Sequence, residues 1–212
     1  QPIRGSSLQR GLISLNQTPG LRVGGTLVPG AQIGTSSLKV KLHTTRRLQA
    51  SVGLDNYGNA FTGQLRTNAN VAINSPFGLG SQVAVNGLVS HHALLDSVGA
   101  TLVSPDLWHG LTVGVYGSTT HYKLAKRFSV LDEHGMASQV GADIQYPIVL
   151  VPGHVLSIRG DVIHDAFATN IHRAGVHKLS HINLGRLSLS GATQDGLGGS
   201  DSGQLGVKTG RL

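Results

Sequence analysis

The chain has 212 residues, a net charge of +7 with its histidines neutral, and only 13% charged against 39% hydrophobic side chains. So little charge, with 30 glycines, excludes a disordered chain and suits a fold with many turns. No apolar run approaches the ~18 residues of a membrane helix, the longest being 148–151 between Pro147 and Pro152.

Residues 1–46 read as a small α+β unit. Leu8, Leu12 and Leu15 share one helical face, Ser6 or Ser7 is available as N-cap, and Pro19-Gly20 stops the helix. Two strands, 21–27 and 37–42, follow with Pro29-Gly30 between them. The chain opens at Gln1 without an initiator Met or signal peptide and stops just after a strand, so it reads as an internal piece of a longer protein.

From Leu48 the pattern becomes all-β with period two. Leu48, Ala50, Val52 and Leu54 alternate with Gln49, Ser51, Gly53 and Asp55. In 64–74 the even positions include Gln64, Arg66, Asn68 and Asn70, and the odd ones are Leu65, Thr67, Ala69, Val71 and Ile73. Further strands are expected at 82–90, 97–103, 111–122, 136–146, 154–164, 178–190 and 204–210. Around 182–189 the phase slips from Ile182/Leu184 to Leu187/Leu189, as a bulge or a misplaced strand would produce. Successive side chains of a strand point to opposite faces, so each stretch has one apolar and one polar face. A soluble sandwich would bury the apolar face, whereas a membrane barrel would turn it to lipid over ~9–11 residues per strand.

The connections alternate in kind. Ser75-Pro76-Phe77-Gly78, Ser104-Pro105-Asp106, Pro147 to Pro152-Gly153 and Asp195-Gly196 to Gly199 are tight turns at every second connection. Between them lie 57–62, 91–96, 125–135 and 166–177, mostly more polar and partly longer. Tight turns on one side and longer loops on the other are the habit of up-and-down membrane barrels. Trp108, Tyr57, Tyr122 and Tyr146 fall near strand ends, where girdle aromatics would sit, though one Trp and four Tyr are few for such a barrel.

Leu54-Asp55-Asn56-Tyr57-Gly58, then Thr62-Gly63 and Asn74-Ser75-Pro76-Phe77-Gly78-Leu79-Gly80, resemble two-partner-secretion transporters, the hemolysin and filamentous-hemagglutinin secretion/activation proteins. Thr18-Pro19-Gly20-Leu21, Leu27-Val28-Pro29-Gly30 and Gly34-Thr35-Ser36-Ser37-Leu38 resemble the end of that family's second POTRA domain, and Tyr146-Pro147-Ile148 the close of a later barrel strand. Asp55, Asn56, Tyr57, Gly58, Gly63, Pro76 and Gly80 are the signature positions.

The resemblance implies a mainly β fold. A POTRA remnant at 1–46 would lie in the periplasm, and 47–212 would form the first half of a transmembrane antiparallel up-and-down barrel in the outer membrane. It implies export of a large unfolded exoprotein, with outer-membrane lipid as surroundings and no cofactor or nucleic acid. The family's inward-folded loop has no counterpart here; Ile3-Arg4-Gly5 and Ile158-Arg159-Gly160 match its tip only superficially.

Under this expectation Arg66, Asn68, Asn70, Gln139, Asp143, Gln145, Arg159 and Asp161 line a hydrated lumen. Leu21, Arg22, Val23 and Leu27 form a POTRA edge to which an extended partner adds as a strand. A soluble all-β adhesin-like or binding domain is the competing expectation, although no short fixed repeat is present.

Other chemistry has weaker support. Lys and Arg are dispersed, the densest cluster being Lys123, Lys126 and Arg127, which does not suit a nucleic-acid face. His177 and His181 lie four apart without the Glu of a helical zinc motif, and His91-His92, His121, His134, His154, His164 and His172 share no ligand spacing. Gly199-Ser200-Asp201-Ser202-Gly203 resembles a serine-protease segment, but its composition is that of a tight turn. Gly78-Leu79-Gly80 and Gly196-Leu197-Gly198 lack the Lys-Ser/Thr of a phosphate loop. No catalytic or metal residue is assigned.

Overall fold

The computed structural model describes residues 5–32, 34–125, 133–171, 175–195 and 199–211. Residues 126–132, 172–174 and 196–198, among them His172, Lys126 and Arg127, lie outside the described residues, as do Ile3 and Arg4. The helix α1 (Gly5–Gln17) ends ahead of Pro19-Gly20, and Ser6 and Ser7 fall within its first turn instead of capping it. The strands β1 (Leu21–Pro29) and β2 (Ser36–Thr44) form a two-stranded antiparallel sheet running from Leu21↔Thr44 to Pro29↔Ser36. Leu21 and Val23 are buried.

Asn16 joins helix to sheet. Its Oδ1 accepts from the Val23 amide at 2.8 Å, and its Nδ2 donates to the Val23 carbonyl at 2.8 Å and to the Leu12 carbonyl at 3.0 Å. Part of the β1 edge expected to receive a partner strand is therefore already occupied at Val23, while Arg22 and Leu27 remain exposed. Removing this amide leaves two backbone groups to find water, at about 1–2 kcal/mol. Asn16→Ala is expected to lower stability by that amount and to speed amide exchange at Val23, read by denaturant titration and hydrogen exchange.

The remaining nine strands form one open sheet. They are β3 (Leu48–Asp55), β4 (Arg66–Asn74), β5 (Gln82–Ser90), β6 (Leu95–Val103), β7 (Thr112–Lys123), β8 (Glu133–Val151), β9 (His154–Ile171), β10 (Val176–Gln194) and β11 (Ser200–Arg211). Each pairs antiparallel with its neighbours in sequence, in the order β11 to β3, with β3 and β11 as the two edges. This is an up-and-down meander. Because the Pro- and Gly-rich turns occupy alternate connections, they all lie at one end.

Three sequence expectations are corrected. Pro147 does not end its strand: β8 runs on to Val151, and the turn shrinks to Pro152-Gly153. The pairing with β9 is irregular between Pro147 and Val149, a position where a strand tolerates a residue without an N–H. The phase slip near 182–189 involves no bulge, since β10 pairs without a register shift against both β9 and β11. Ile182 and Leu184 share the face of Arg186 and Ser188, while Leu187 and Leu189 lie on the other. Tyr122 stands on the same face as Tyr116, each packed where a Cβ on Gly135 or Gly141 would fall, so it is no part of a girdle on the apolar face.

One hydrogen-bonded row of the apolar face runs Leu48, Ile73, Val83, Leu102, Val115, Ala142, Val162. These side chains are uncovered: Val162 is 65%, Leu48 59% and Ile73 42% exposed. The other face holds Asp161 at 4%, with Ser157 and Ser188 also buried. Greasy side chains thus point outward and polar ones into the shelter of the sheet, the inverse of a soluble fold.

Along rows from β3 towards β10, outward positions turn from apolar to polar, as in Val52, Ala69, Gly87, Val98, Thr119, Ser138, Ala166, His181. Tilted strands explain this. In a barrel wall, where strands lean at ~35–45°, perpendicular rows climb and a level apolar band cuts across them. On the apolar face Trp108 stacks on Tyr146 at 6.3 Å, near the end that carries the tight turns.

Candidate functional site

Alternation along the strands gathers the eight expected polar residues onto one face. Asn70, Asn86, Gly99, Ser118, Gln139 and Asp165 form one row, with Arg66 and Asn68 four and two places along β4 from Asn70 on the same side. Gln145 pairs with Arg159, and Asp143 with Asp161. Gln139 donates to Asp165 at 2.8 Å, and Asn70 is exposed.

Asp143 opposite Asp161 would be a repulsive like-charge pair. Two guanidiniums neutralise it. Arg159 reaches Asp143 at 2.9 Å and Asp161 at 3.1 Å, while Arg186 grips Asp161 through Nε at 3.0 Å and Nη2 at 2.9 Å. The Asp161 carboxylate is fully enclosed, yet the guanidiniums are 38% and 39% exposed, so the cluster is rooted in the wall and open towards the sheltered space. Gly141 gives Tyr116 room beside it, since a Cβ there would sit 2.5 Å from the ring.

Arg186 was missed in the sequence because the phase of β10 was read from Ile182 and Leu184. The alternation of Arg186, Ser188 and Ser190 with Leu187 and Leu189 carried the signal.

A second constellation fixes the start of the sheet. The Asp55 carboxylate accepts from the Tyr57 amide at 3.0 Å, Arg66 Nε at 2.8 Å and Asn68 Nδ2 at 3.2 Å. The Gly58 amide donates to the Gln64 carbonyl at 2.9 Å, and Gly63 lies against Ser90. Asn56 and Tyr57 are exposed.

At the opposite end the turn 75–81 joins the small unit to the sheet. Asn74, 2% exposed, donates through its amide to the Arg47 carbonyl at 2.7 Å and through Nδ2 to the Arg46 carbonyl at 3.1 Å, and accepts from Gln82 at 2.9 Å. Ser75 Oγ donates to the Pro19 carbonyl at 3.2 Å, and Ser14 Oγ to Asp106 at 3.4 Å. Gly80, at φ 92°, is buried against Thr18, whose Cγ2 would lie 3.0 Å from a Cβ, while Pro76 is exposed. Between α1 and the sheet lies a cavity of about 240 Å³ lined in part by Thr18, Gly80, Gln145 and Leu150.

Asn74→Ala takes the side-chain partner from the part-buried Arg46 carbonyl and Gln82 amide together, at about 1–2 kcal/mol. Accelerated proteolysis at 44–48 is expected alongside that loss. An unchanged cleavage rate would show that the junction is held elsewhere.

An open antiparallel meander, apolar outside and polar within, with its Pro- and Gly-rich turns at one end, defines part of a transmembrane up-and-down β-barrel. The haemolysin secretion/activation protein family ShlB/FhaC/HecB matches residues 34–164, and the chain belongs to that family of outer-membrane β-barrel transporters. It is 26% identical over 185 residues to the heme/hemopexin transporter protein HuxB of Haemophilus influenzae strain 86-028NP, covering 87% of this chain and 33% of HuxB. It is 23% identical over 168 residues to the hemolysin transporter protein ShlB of Serratia marcescens, covering 77% of this chain and 30% of that protein.

Among solved structures, CdiB from Escherichia coli superposes with a TM-score of 0.78 at 18% identity, covering 95% of this chain and 38% of CdiB. BamA from Haemophilus ducreyi gives 0.56 at 14% identity, covering 98% and 44%. The chain spans about a third of the length of these curated relatives.

Proposed function

We propose that this chain is part of an outer-membrane transporter that exports a large, unfolded partner protein. Residues 47–212 form the first half of its barrel, and residues 1–46 form the end of a periplasmic POTRA domain. The observation that carries this is the uncovered apolar face, with Val52, Val140, Val162 and Val207 outward and no second layer across it among the described residues. An apolar patch of that extent needs a membrane or a partner.

The sheltered face suits passage of an extended chain. The charges of the cluster are paired, Asp143 and Asp161 with Arg159 and Arg186, so this part of the wall offers moving peptide groups few unsatisfied ions to bind. Asn70 and Gln145 add neutral donors and acceptors that exchange readily with water. A hydrated wall of this kind lets polypeptide slide without apolar adhesion. The partner is captured first by strand addition in the periplasm, along the part of β1 beyond Val23 that Asn16 leaves open.

The test uses the full-length protein expressed with the secreted protein encoded beside it. The exoprotein is expected outside the cell and the transporter in the membrane pellet after a urea wash. Recovery of the transporter in the soluble fraction without detergent overturns the proposal, as does export that persists when the transporter is deleted.

A further inference from the structure

Above the apolar band, β7 to β10 change character on their outward face. His121 and Lys123 of β7, His134 of β8, Asn170 of β9, and His177 and His181 of β10 all fall on that side of the sheet. Trp108 and Tyr146 mark the lower boundary of the band on the same face. His134 lies twelve residues along β8 from Tyr146. That is ~40 Å of strand at ~3.3 Å per residue, or ~30 Å along the membrane normal at a tilt of ~40°. An apolar band is ~25 Å tall, so the rim stands at the level of the outer-leaflet headgroups.

Several of these rings are held in place. Asp96 on β6 is 3.1 Å from Nδ1 of His121, and Asn170 is 2.6 Å from Nδ1 of His177. In each case Nε2 is the remaining polar atom of the ring. On β3 and β4 the outward face has no such rim: it ends in Leu54 and Thr67. The rim is therefore a sector of the wall, continuous with the lipid-facing surface beneath it.

We propose that this sector binds the phosphate groups of outer-leaflet lipid, through the Lys123 ammonium and the His121, His134 and His177 imidazoles. Ammonium and imidazole are donors suited to a phosphate oxygen, and an anionic surface draws a basic patch at its own depth. The Asn170 amide and His181 extend the site sideways. The proposal rests on the outward face meeting lipid.

The test reconstitutes the full-length protein in vesicles containing bis-phosphorylated lipid A or its dephosphorylated form. Lipid retained after mild detergent extraction is then counted by native mass spectrometry. The phosphorylated form is expected to be retained preferentially, with retention falling roughly fivefold in Lys123→Gln and further when His134→Gln is added. Lys123→Arg is expected to keep it.

Equal retention of both lipids by a protein that stays in the vesicles overturns the phosphate site and leaves the membrane-facing surface standing. A protein that never enters the vesicles overturns both. Heat-modifiable migration on gels confirms that the barrel is folded in each variant, and the Gln substitutions keep the outward side chains close in length.

Discussion

Val140→Arg is expected to destabilise the bilayer-embedded protein by about 2–4 kcal/mol, the cost of a guanidinium near the midplane on the lipid face of a barrel. Val140 is 58% exposed and lies six residues above Tyr146, about half the height of the band. On a water-facing surface the same change would stay within about 0.5 kcal/mol, so the two environments give separate answers. The neighbouring Gln139, on the opposite face and bonded to Asp165, provides the control. Gln139→Arg is expected to be tolerated, because its side chain meets water and a carboxylate. Urea titration of the full-length protein in vesicles measures both. Equal costs for the two substitutions would show that the face assignment is wrong.

The second large effect is expected at Asp161. Its carboxylate is enclosed and joins Arg159 to Arg186, so Asp161→Ala leaves two guanidiniums beside a single remaining carboxylate, Asp143. Removing one partner of a buried pair costs ~3–5 kcal/mol. The guanidiniums here are over a third exposed, and water screens them, which brings the expectation to about 2–3 kcal/mol. In a double-mutant cycle, Asp161→Ala with Arg186→Ala should cost less than the two changes summed. The extra positive charge should also shift a reconstituted pore towards anion selectivity, read as a reversal potential in a planar bilayer. A loss under about 0.5 kcal/mol with unchanged selectivity would mean the cluster neither braces the wall nor faces the pore.

Much of the sheet was legible because one apolar and one polar face impose a strict period of two. Residues 82–90 were expected as a strand and form β5 residue for residue. The turns at 75–81, 104–111 and 152–153 were marked by Pro and Gly, which fix φ or permit positive φ.

Legibility failed where the apolar band of the outward face ends. Beyond the band the outward side chain no longer needs to be apolar, so His181 and Asn183 face out while Ile182 and Leu184 face in, and the apparent phase inverts. The true lengths of β8, β9 and β10, at 19, 18 and 19 residues, were hidden for the same reason. Pro147 misled differently, since one irregular pairing absorbs its missing donor.

The candidate site was readable one residue at a time but not as a network. Polar alternation named Asp143, Arg159 and Asp161, and only the register against β10 brings in Arg186. Asn16 gave no warning, and Asn74 stood out only as part of a motif, because an asparagine that clasps backbone some distance away looks like any other turn former.

Because each strand of the meander returns to the end where the one before it began, the hairpin is the smallest piece that can be excised cleanly. Deleting β5 together with β6 would bring the chain back to the same rim, with inward and outward residues still in step. Deleting one of them would deliver every later strand upside down. A wall of this design widens or narrows by twos.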